Sequence, residues 1–313
     1  MEKDNGIIVL SLFDGIAGAR LALKKAKIKV KKYYASEINK NAIQIVKQNW
    51  NDVIHLGDIQ NWEKWDIEKP DLIIGGSPCQ GFSYTVNNQI NFSHVKSKLF
   101  FYFSDILNYY SPDFYLLENV VMKKEYRDVI TKHIGVNPVK LNSSLVSAQS
   151  RERLYWFNWQ ADIPEDKNIV LRDIIEYSEH IDGYYSAKDV KNKNGECNQV
   201  GVAMDINGHD ILKRVYGINA KSPTLTAVCG GNQEKKIQVG RGTYRKLSPV
   251  EYERLQNFPD NYTHGASKAQ RYKCIGNSFT VDMIVYILSC NKTLTTGGTV
   301  RKKKVNRGTG EVI

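Results

Sequence analysis

A cysteine in a short loop bounded by glycine is the residue of this sequence best placed to act as a nucleophile. Cys79 follows Gly-Gly-Ser-Pro, which interrupts the apolar run at residues 72–74. Such a run predicts a buried strand, and ligands of open α/β sheets collect beyond the carboxyl ends of the strands. Pro78 restricts the backbone there and helps to aim the thiol. A free cysteine is more often a small buried apolar residue, so Cys79 needs support from the rest of the chain.

A carboxylate and two arginines supply that support. Glu118 directly follows the apolar run 114–117, which predicts a strand ending at the same sheet edge as the cysteine loop. Farther along, alternation on a strand places Gln149, Arg151 and Arg153 on one face. Two arginines and an amide suit a phosphate or the polar edge of a base. Pairing with acids at the edge of the core is the alternative.

The first part of the chain has the strand, turn and helix pattern of a nucleotide-binding Rossmann unit. Residues 7–12 predict a strand, and a turn containing Gly15 and Gly18 leads into a helical pattern. The glycine spacing is not that of a dinucleotide site, which disfavours an NAD-type oxidoreductase. Glu37 and Asp58 lie at the tips of the next two predicted strands, and the set suits an adenosyl ligand without phosphates. A helix N-terminal acid is the alternative for Glu37.

Composition sets broad limits on the function. The chain has 313 residues, 44 Lys and Arg against 33 Asp and Glu, and a net charge of +11, which is weak support for a polyanionic partner. No apolar run reaches the length of a membrane span, and the first residues lack the apolar core of a signal peptide. Five scattered cysteines without a CxxC pattern predict free thiols in a reducing cytoplasm and no metal site.

The region from residue 166 to residue 244 changes to short polar pieces punctuated by glycine and asparagine. Many turns and few long helices predict a small β-rich module, with a linker-rich insert as the alternative. Its basic residues suit phosphates and are Lys213, Arg214, Lys221, Lys235, Lys236 and Arg241. Residues 292–313 form a basic tail that we expect to be disordered.

Six short motifs follow one another between residues 7 and 288. They are Leu-Phe-Asp-Gly-Ile-Ala-Gly (12–18), Gly-Ser-Pro-Cys-Gln-Gly-Phe-Ser (76–83), Glu-Asn-Val (118–120), Gln-Ser-Arg-Glu-Arg (149–153), Arg-Lys-Leu-Ser-Pro (245–249) leading into Leu-Gln-Asn-Phe-Pro (255–259), and Gly-Asn-Ser (276–278). Together they resemble the C5-cytosine-specific DNA methyltransferase family, of bacterial and phage type, while the first motif is similar to the animal de novo branch. Ala17 and Lys98 depart from the family, which often has glycine at both positions.

The resemblance implies an α/β fold, a Rossmann-like S-adenosylmethionine-dependent methyltransferase sheet with a second, smaller β-rich target-recognition domain. It divides the chain into a discontinuous catalytic domain (1–165 and 268–291), a target-recognition domain (166–267) and the tail (292–313). In this arrangement the helix at residues 281–288 packs back beside the first strand.

The resemblance also implies the reaction and its residues. We expect methyl transfer from S-adenosylmethionine to C5 of a flipped cytosine in a short duplex DNA sequence, leaving S-adenosylhomocysteine and using no metal. The catalytic set comprises Cys79, which adds to C6 of the ring, with Glu118, Arg151 and Arg153. The cofactor set comprises Phe13, Asp14, Gly15, Gly18, Glu37, Ile38, Asp58, Ile59, Pro78, Leu99, Asn277 and Ser278. The substrate set comprises Gln80, Ser83, Gln149, Thr224, Leu225 and Thr226, and residues 84–97 are expected to form a lid.

Partners and competing functions follow from the same resemblance. It implies a cytoplasmic monomer that acts on double-stranded DNA and does not bind a membrane. Cytosine-5 methylation of tRNA is the alternative within the same chemistry, and the basic, turn-rich module favours duplex DNA. A catalytically silent DNA-binding regulator is disfavoured because both Cys79 and Glu118 are present.

Overall fold

The computed structural model describes residues 6–78, 99–187, 197–228 and 230–296. Within these ranges the chain forms a seven-stranded sheet and a closed five-stranded barrel. This confirms the predicted α/β class, with a Rossmann-like sheet and a second, smaller β-rich unit.

The large sheet alternates with helices in the order expected of a doubly wound fold. Its strands are β1 (Ile7–Leu12), β2 (Val30–Ser36), β3 (Val53–Gly57), β4 (Leu72–Gly76), β5 (Phe114–Val120), β6 (Val139–Asn142) and β7 (Glu152–Phe157). They lie in the order β3-β2-β1-β4-β5-β7-β6. The first five are parallel, whereas β7 is antiparallel to both β5 and β6. The direction of winding reverses between β1 and β4, which places a ligand crevice at the carboxyl ends of those strands.

Both faces of the large sheet are buried, which explains its nearly continuous apolar strands. In β1 the side chain of Val9 packs into the core on one face, while Leu10 and Leu12 pack into the core on the other. All three are completely buried. The sequence of β1 therefore lacks the alternation of apolar and polar residues that marks a strand with one solvent-exposed face.

Nine α-helices lie in the described ranges. They are α1 (Gly18–Lys25), α2 (Lys40–Asn49), α3 (Leu99–Tyr110), α4 (Lys124–Ile134), α5 (Asp210–Lys213), α6 (Pro249–Leu255), α7 (Lys268–Asn277), α8 (Val281–Ser289) and α9 (Lys292–Thr296). Helices α3 and α4 pack on one face of the large sheet, and α1, α2, α6, α7 and α8 pack on the other. Because α8 lies against α1, the two ends of the chain share one core.

Local capping signals fix where several helices begin. The side chain of Asn39 accepts hydrogen bonds from the first backbone amides of α2. At α6, Ser248 and Glu251 form a reciprocal capping box around Pro249, which occupies the first turn. These are the residue types whose short side chains or fixed φ suit a helix start.

The barrel contains the remaining strands. They are β8 (Gly183–Ala187), β9 (Gln199–Ala203), β10 (Arg214–Tyr216), β11 (Lys236–Gly240) and β12 (Thr243–Lys246), in the order β10-β11-β12-β8-β9. Tyr185, Val215 and Tyr244 fill its interior. The hydroxyl of Tyr244 donates to the Asp205 carboxylate at 2.9 Å, so the polar end of this buried ring is satisfied.

Several boundaries differ from the sequence prediction. The barrel strands begin at residue 183 and end at residue 246, whereas the β-rich module was predicted at residues 166–244. Residues from 247 onward include Tyr252 and Phe258, which pack into the core of the large sheet. The predicted tail begins at residue 292, but α9 extends to Thr296 and buries Leu294. Residues 297–313 lie outside the described ranges.

Candidate active site

The carboxyl ends of four strands form one edge of the large sheet. Glu37 follows β2, Gly76 ends β4, and the turn after β1 begins at Phe13. Glu118 lies near the carboxyl end of β5, directly opposite Gly76 in the register. The edge therefore has an acid at the end of β2 and another in β5, and the ends of β1 and β4 lie between them.

Glu37 connects the glycine turn to the end of β2 through hydrogen bonds to backbone N–H groups. Its Oε2 accepts from the backbone N–H of Gly15 at 2.9 Å, and its Oε1 accepts from those of Ile38 and Asn39 at 2.8 and 2.7 Å. A carboxylate has about four acceptor positions. Three are used, so the carboxylate retains acceptor capacity for a ligand hydroxyl.

The surroundings of Glu37 are open and partly apolar. The side chain of Ile38 is 68% exposed, which is unusual for a large apolar residue. Gly15 has a φ of +60°, and no atom lies within 4 Å of where its Cβ would be. Phe13 also has a positive φ and is half-buried. These residues offer apolar surface and backbone access beside a carboxylate.

Residues from the far end of the chain complete this side of the site. A Cβ on Gly18 would lie 3.1 Å from Ser278 Oγ, so the start of α1 packs directly against the Gly-Asn-Ser motif. Asn277 is exposed, whereas Ser278 is 9% exposed. Pro78 and Leu99 are both half-buried.

Two residues of the predicted cofactor set are internal instead. Asp14 is buried, and its Oδ1 accepts from the hydroxyl of Tyr33 at 2.6 Å. Burial is the main cause that raises the pKa of Asp14 to about 6, and the charge of Glu37 contributes to this increase. Ile59 is 4% exposed and belongs to the core. Asp14 therefore lies beneath the glycine turn and Ile59 packs in the core, and the cofactor roles predicted for both stay predictions.

Asp58 keeps a position at the end of β3. The strand ends at Gly57, and the Asp58 side chain accepts from the backbone N–H of Gln60 at 3.0 Å, which caps a short 3₁₀ turn. Asp58 is half-buried, with room for a second hydrogen bond.

An ion pair occupies the other side of the edge. Arg153 Nε lies 2.9 Å from Glu118 Oε1, with side-chain exposures of 12% and 14%. A Cβ on Gly76 would lie 2.9 Å from Glu118 Oε2 and 3.1 Å from the ring of Phe279. Only glycine therefore leaves room for the carboxylate at this point. The geometry brings Glu118 and Arg153 together, which is the pairing with an acid that the sequence left open as the alternative for Arg153.

Asn119 connects this acid to the cysteine loop. It is 1% exposed, and its Nδ2 donates to Ser77 Oγ at 2.9 Å and to Ser77 O at 3.4 Å. The bond fixes the residue two positions before Cys79. Cys79 itself, Gln80, Ser83 and the expected lid at 84–97 lie outside the described residues, so their predicted roles stay predictions.

Gln149 and Arg151 differ from the prediction that they face a substrate. Strand β7 begins at Glu152, so both residues precede it. Gln149 is fully buried, and Arg151 is 4% exposed. The Arg151 guanidinium donates to the backbone carbonyl of Leu225 at 2.9 Å and to that of Ser278 at 3.2 Å. Their polar atoms bind other parts of the protein, and the catalytic role predicted for Arg151 and the substrate role predicted for Gln149 stay predictions.

The Thr-Leu-Thr stretch is divided between the surface and the interior. Leu225 is 1% exposed, and its backbone N–H donates to Gln149 Oε1 at 2.8 Å. Thr224 Oγ1 donates to the carbonyl of Ser150 at 2.7 Å. Thr226 is exposed. Of these three predicted substrate residues, Leu225 is therefore buried and attaches this stretch to Gln149.

Two of the lysines expected to bind phosphates are buried. Lys221 Nζ donates to the carbonyls of Ser144 and Ser147 at 2.6 and 3.3 Å. Lys236 is 1% exposed, and burial lowers its pKa to about 8. Its ammonium donates to backbone carbonyls within residues 232–234. Composition could not distinguish these internal donors from surface cations.

Three residues of the site had no role assigned from the sequence. Asn119, Gln256 and Phe279 lie within or next to the motifs, but their types alone do not reveal their contacts. Gln256 is fully buried and donates to the carbonyls of Ile275 and Ser278. Their position within or next to the motifs is the one sequence signal that could have identified them as site residues.

The next two findings concern metal binding and membrane insertion. In the part of the chain that the structure describes, no group of three or more His, Cys, Asp or Glu side chains is arranged to hold a metal ion. Across the same ranges, no helix combines the length and apolar character needed to cross a bilayer.

The chain matches one protein family over most of its length. The family model described as C-5 cytosine-specific DNA methylase matches residues 7–292. The Type II methyltransferase M1.ScrFI of Lactococcus lactis subsp. cremoris is 30% identical over 308 residues, covering 88% of this chain and 75% of that protein. The Type II methyltransferase M.NlaX of Neisseria lactamica is 29% identical over 305 residues, with 88% and 93% covered.

Among solved structures, a DNA modification methyltransferase encoded within a prophage of E. coli has a similar fold. The TM-score is 0.68 at 21% identity, and the match covers 93% of this chain and all of the other. At this identity the likeness concerns the fold, and it includes the unit that contains the barrel.

Proposed function

Because the chain belongs to the C-5 cytosine-specific DNA methylase family, it is an S-adenosylmethionine-dependent DNA cytosine methyltransferase, and we propose that it methylates a flipped cytosine through a covalent adduct with Cys79. The observation that supports this mechanism best is the Glu118–Arg153 pair at the sheet edge. It lies over Gly76, three residues before Cys79. An acid and a fixed cation there suit the polar edge of a pyrimidine.

The chemistry requires a nucleophile because C5 of cytosine is a weak carbon nucleophile. The Cys79 thiolate forms a bond to C6, and the electron pair of the C5–C6 double bond becomes available at C5. Negative charge then accumulates toward N3 and the exocyclic carbonyl oxygen O2. Glu118 donates a hydrogen bond or a proton to N3, and Arg153 holds both the acid and the base oxygen in place.

The remaining steps restore the aromatic ring. S-adenosylmethionine supplies a methyl group on a sulfonium, which C5 attacks, leaving S-adenosylhomocysteine. A base removes the proton from C5, and that electron pair re-forms the C5–C6 double bond while the Cys79 sulfur leaves C6 as a thiolate. A proton given to N3 returns to Glu118 in the same stage. The reaction is balanced without an oxidant, a reductant or a metal.

The residues at the ends of β1 and β2 fit S-adenosylmethionine. Glu37 has acceptor capacity for a ribose hydroxyl, and the exposed side chain of Ile38 offers an apolar surface for an adenine ring. Phe13, Gly15 and Asp58 adjoin them. We propose that these residues, together with the Gly-Asn-Ser motif, hold the methyl donor.

The barrel is suited to contact the duplex. Two lysines fix the loop at residues 230–235. Lys236 Nζ donates to backbone carbonyls within residues 232–234, and Lys246 Nζ donates to Asn232 Oδ1 at 2.8 Å. Gln233 is exposed on this loop. A fixed loop with an exposed amide suits the reading of a base edge in the major groove. We propose that this loop contributes to recognition of a short DNA sequence.

The domain organisation remains part of the proposal. A discontinuous catalytic domain at 1–165 and 268–291 would supply the chemistry, and residues 166–267 would select the target. The relatives M1.ScrFI and M.NlaX are Type II methyltransferases of bacteria, which supports action on double-stranded DNA in a bacterial cytoplasm. We propose that the chain acts as a monomer, since one copy supplies every residue of the mechanism.

A covalent trap tests the mechanism directly. A duplex carrying 5-fluorocytosine at the target position cannot lose the C5 substituent as a proton, so the Cys79 adduct should persist after methyl transfer. With S-adenosylmethionine present, a protein–DNA species should survive denaturing electrophoresis. The Cys79→Ser variant, which removes the thiol alone, should give none. An equal yield of the species with that variant would refute the assigned nucleophile.

The alternative substrate is tested beside it. Transfer of labelled methyl groups to duplex DNA and to tRNA is measured with the same preparation. We expect incorporation into DNA, and incorporation into tRNA alone would replace the DNA proposal.

A further inference from the structure

The backbone of Leu225, which lies between β10 and β11, is bound by side chains at both its N–H and its carbonyl. We name residues 222–226 the recognition segment. The backbone N–H of Leu225 donates to Gln149 Oε1 at 2.8 Å, and its carbonyl accepts from Arg151 Nη1 at 2.9 Å. Both side chains come from the stretch that leads into β7. Leu225 is therefore paired at both its backbone N–H and its carbonyl. Ser222 and Thr224 attach the same segment through further hydrogen bonds to residues 148–150.

The same arginine reaches the other end of the active site. We name residues 276–278 the cofactor segment. Arg151 Nη2 donates to the carbonyl of Ser278 at 3.2 Å and to that of Gly276 at 3.4 Å. The planar guanidinium can serve both segments because its donors point in fixed, divergent directions. Hydrogen bonds from a charged donor are about twice as strong as neutral ones, which favours a tight connection.

The two segments also touch without the arginine. A Cβ on Gly276 would overlap the carbonyl group of Thr226, so the backbones pass at the closest possible approach. Gln149 Nε2 donates to Gln256 Oε1 at 3.1 Å, and Gln256 Nε2 donates to Ser278 O at 3.2 Å. A shift of either segment therefore alters hydrogen bonds of the other.

We propose that Arg151 is a positioning residue that couples duplex DNA binding at the recognition segment to S-adenosylmethionine binding at the cofactor segment. The inference rests on the proposed function, which assigns those two ligands to the two segments. A ligand that fixes one segment fixes the guanidinium, and the guanidinium then fixes the other segment. By linkage, each ligand raises the affinity of the other by the same factor.

The coupling factor can be measured by calorimetry. S-adenosylhomocysteine, which does not react, is titrated into the protein with and without a duplex that the wild-type protein has been shown to methylate. The wild-type factor should fall in the usual range for coupled sites, about 5- to 150-fold. In Arg151→Lys it should fall to within about twofold of one, because a lysine keeps the charge but cannot bridge both sets of carbonyls.

A matched variant separates coupling from general loosening. Thr224→Val removes the hydrogen bond to Ser150 O, which anchors the recognition segment without touching the cofactor segment. It should weaken DNA binding with and without S-adenosylhomocysteine, and leave their ratio at the wild-type value. An equal loss of coupling in Thr224→Val and Arg151→Lys would overturn the assignment to Arg151.

Other outcomes are equally decisive. A wild-type factor of one, or an unchanged factor in Arg151→Lys, overturns the inference while leaving DNA methylation intact. Absence of methylation by the wild-type protein removes the proposed function, and the inference with it. If Arg151→Lys does not fold, hydrogen exchange on the wild-type protein decides: S-adenosylhomocysteine alone should protect residues 222–228, and unchanged exchange there contradicts the coupling.

Discussion

Replacing Asp14 with asparagine should stabilise the protein at neutral and alkaline pH. The carboxyl is buried beneath the glycine turn, where burial raises its pKa from 3.8 to about 6. The hydroxyls of Tyr33 and Ser11 act in the opposite direction, and Glu37 adds a repulsive charge. Asparagine is nearly isosteric, and its oxygen can still accept from Tyr33. The substitution thus removes a charge and keeps the principal hydrogen bond.

The expected magnitude follows from linkage between protonation and folding. A shift of about two units at 1.36 kcal/mol per unit means that ionised Asp14 costs the folded state ~3 kcal/mol above pH 6. As the pH falls from 6 toward 3.8, the folded protein takes up the proton before the unfolded chain does, and this cost is relieved. The advantage of Asp14→Asn over wild type should therefore be ~3 kcal/mol at pH 8 and about half of that at pH 5.

Urea denaturation at pH 8 and pH 5 measures this difference. The control is Asp66→Asn, the same chemical change at an exposed position, which should alter stability by less than about 0.5 kcal/mol at either pH. A variant no more stable than wild type at pH 8, or an advantage independent of pH, would refute the reasoning. A lower affinity of Asp14→Asn for S-adenosylhomocysteine would show why the sequence retains a costly charge beside Glu37.

Three further substitutions test other parts of the site. Glu118→Gln, which weakens the pair with Arg153 and removes the acid, should slow single-turnover methyl transfer by about 10²- to 10⁴-fold, and a loss of less than tenfold contradicts its role. Gly276→Ala forces a methyl group into the carbonyl of Thr226 and should lower the free energy of unfolding by about 1–3 kcal/mol, measured in urea, whereas an unchanged value would contradict the close approach. Gln233→Ala should broaden the methylated sequence context in bisulfite sequencing with little change in stability, and an unchanged context would exclude Gln233 from recognition.

Much of the fold was accessible from sequence because local signals and global structure agree. The apolar run of β1, the glycine turn and the capping residues at Asn39 and Ser248 each specify one local geometry. The acids Glu37 and Glu118 could be placed at one sheet edge because parallel strands align their carboxyl ends. The motif order then connected the two ends of the chain.

The internal polar contacts could not be obtained in this way. Arg151 and Lys236 have the residue types of ligand-binding cations, yet both donate to backbone carbonyls of the protein. Asp14 lies between two glycine-turn residues, but its carboxyl points to Tyr33. Whether a polar side chain faces a ligand or the interior depends on backbone carbonyls that only the tertiary structure brings close.

Bisulfite sequencing of DNA from cells that express this protein tests the central claim most directly. Cells producing the Cys79→Ser variant at the same level serve as the control. The account predicts cytosines protected from conversion in one short shared sequence context, with protection absent in the control. Complete conversion of cytosines in cells that contain the folded wild-type protein would contradict methylation of C5 in duplex DNA.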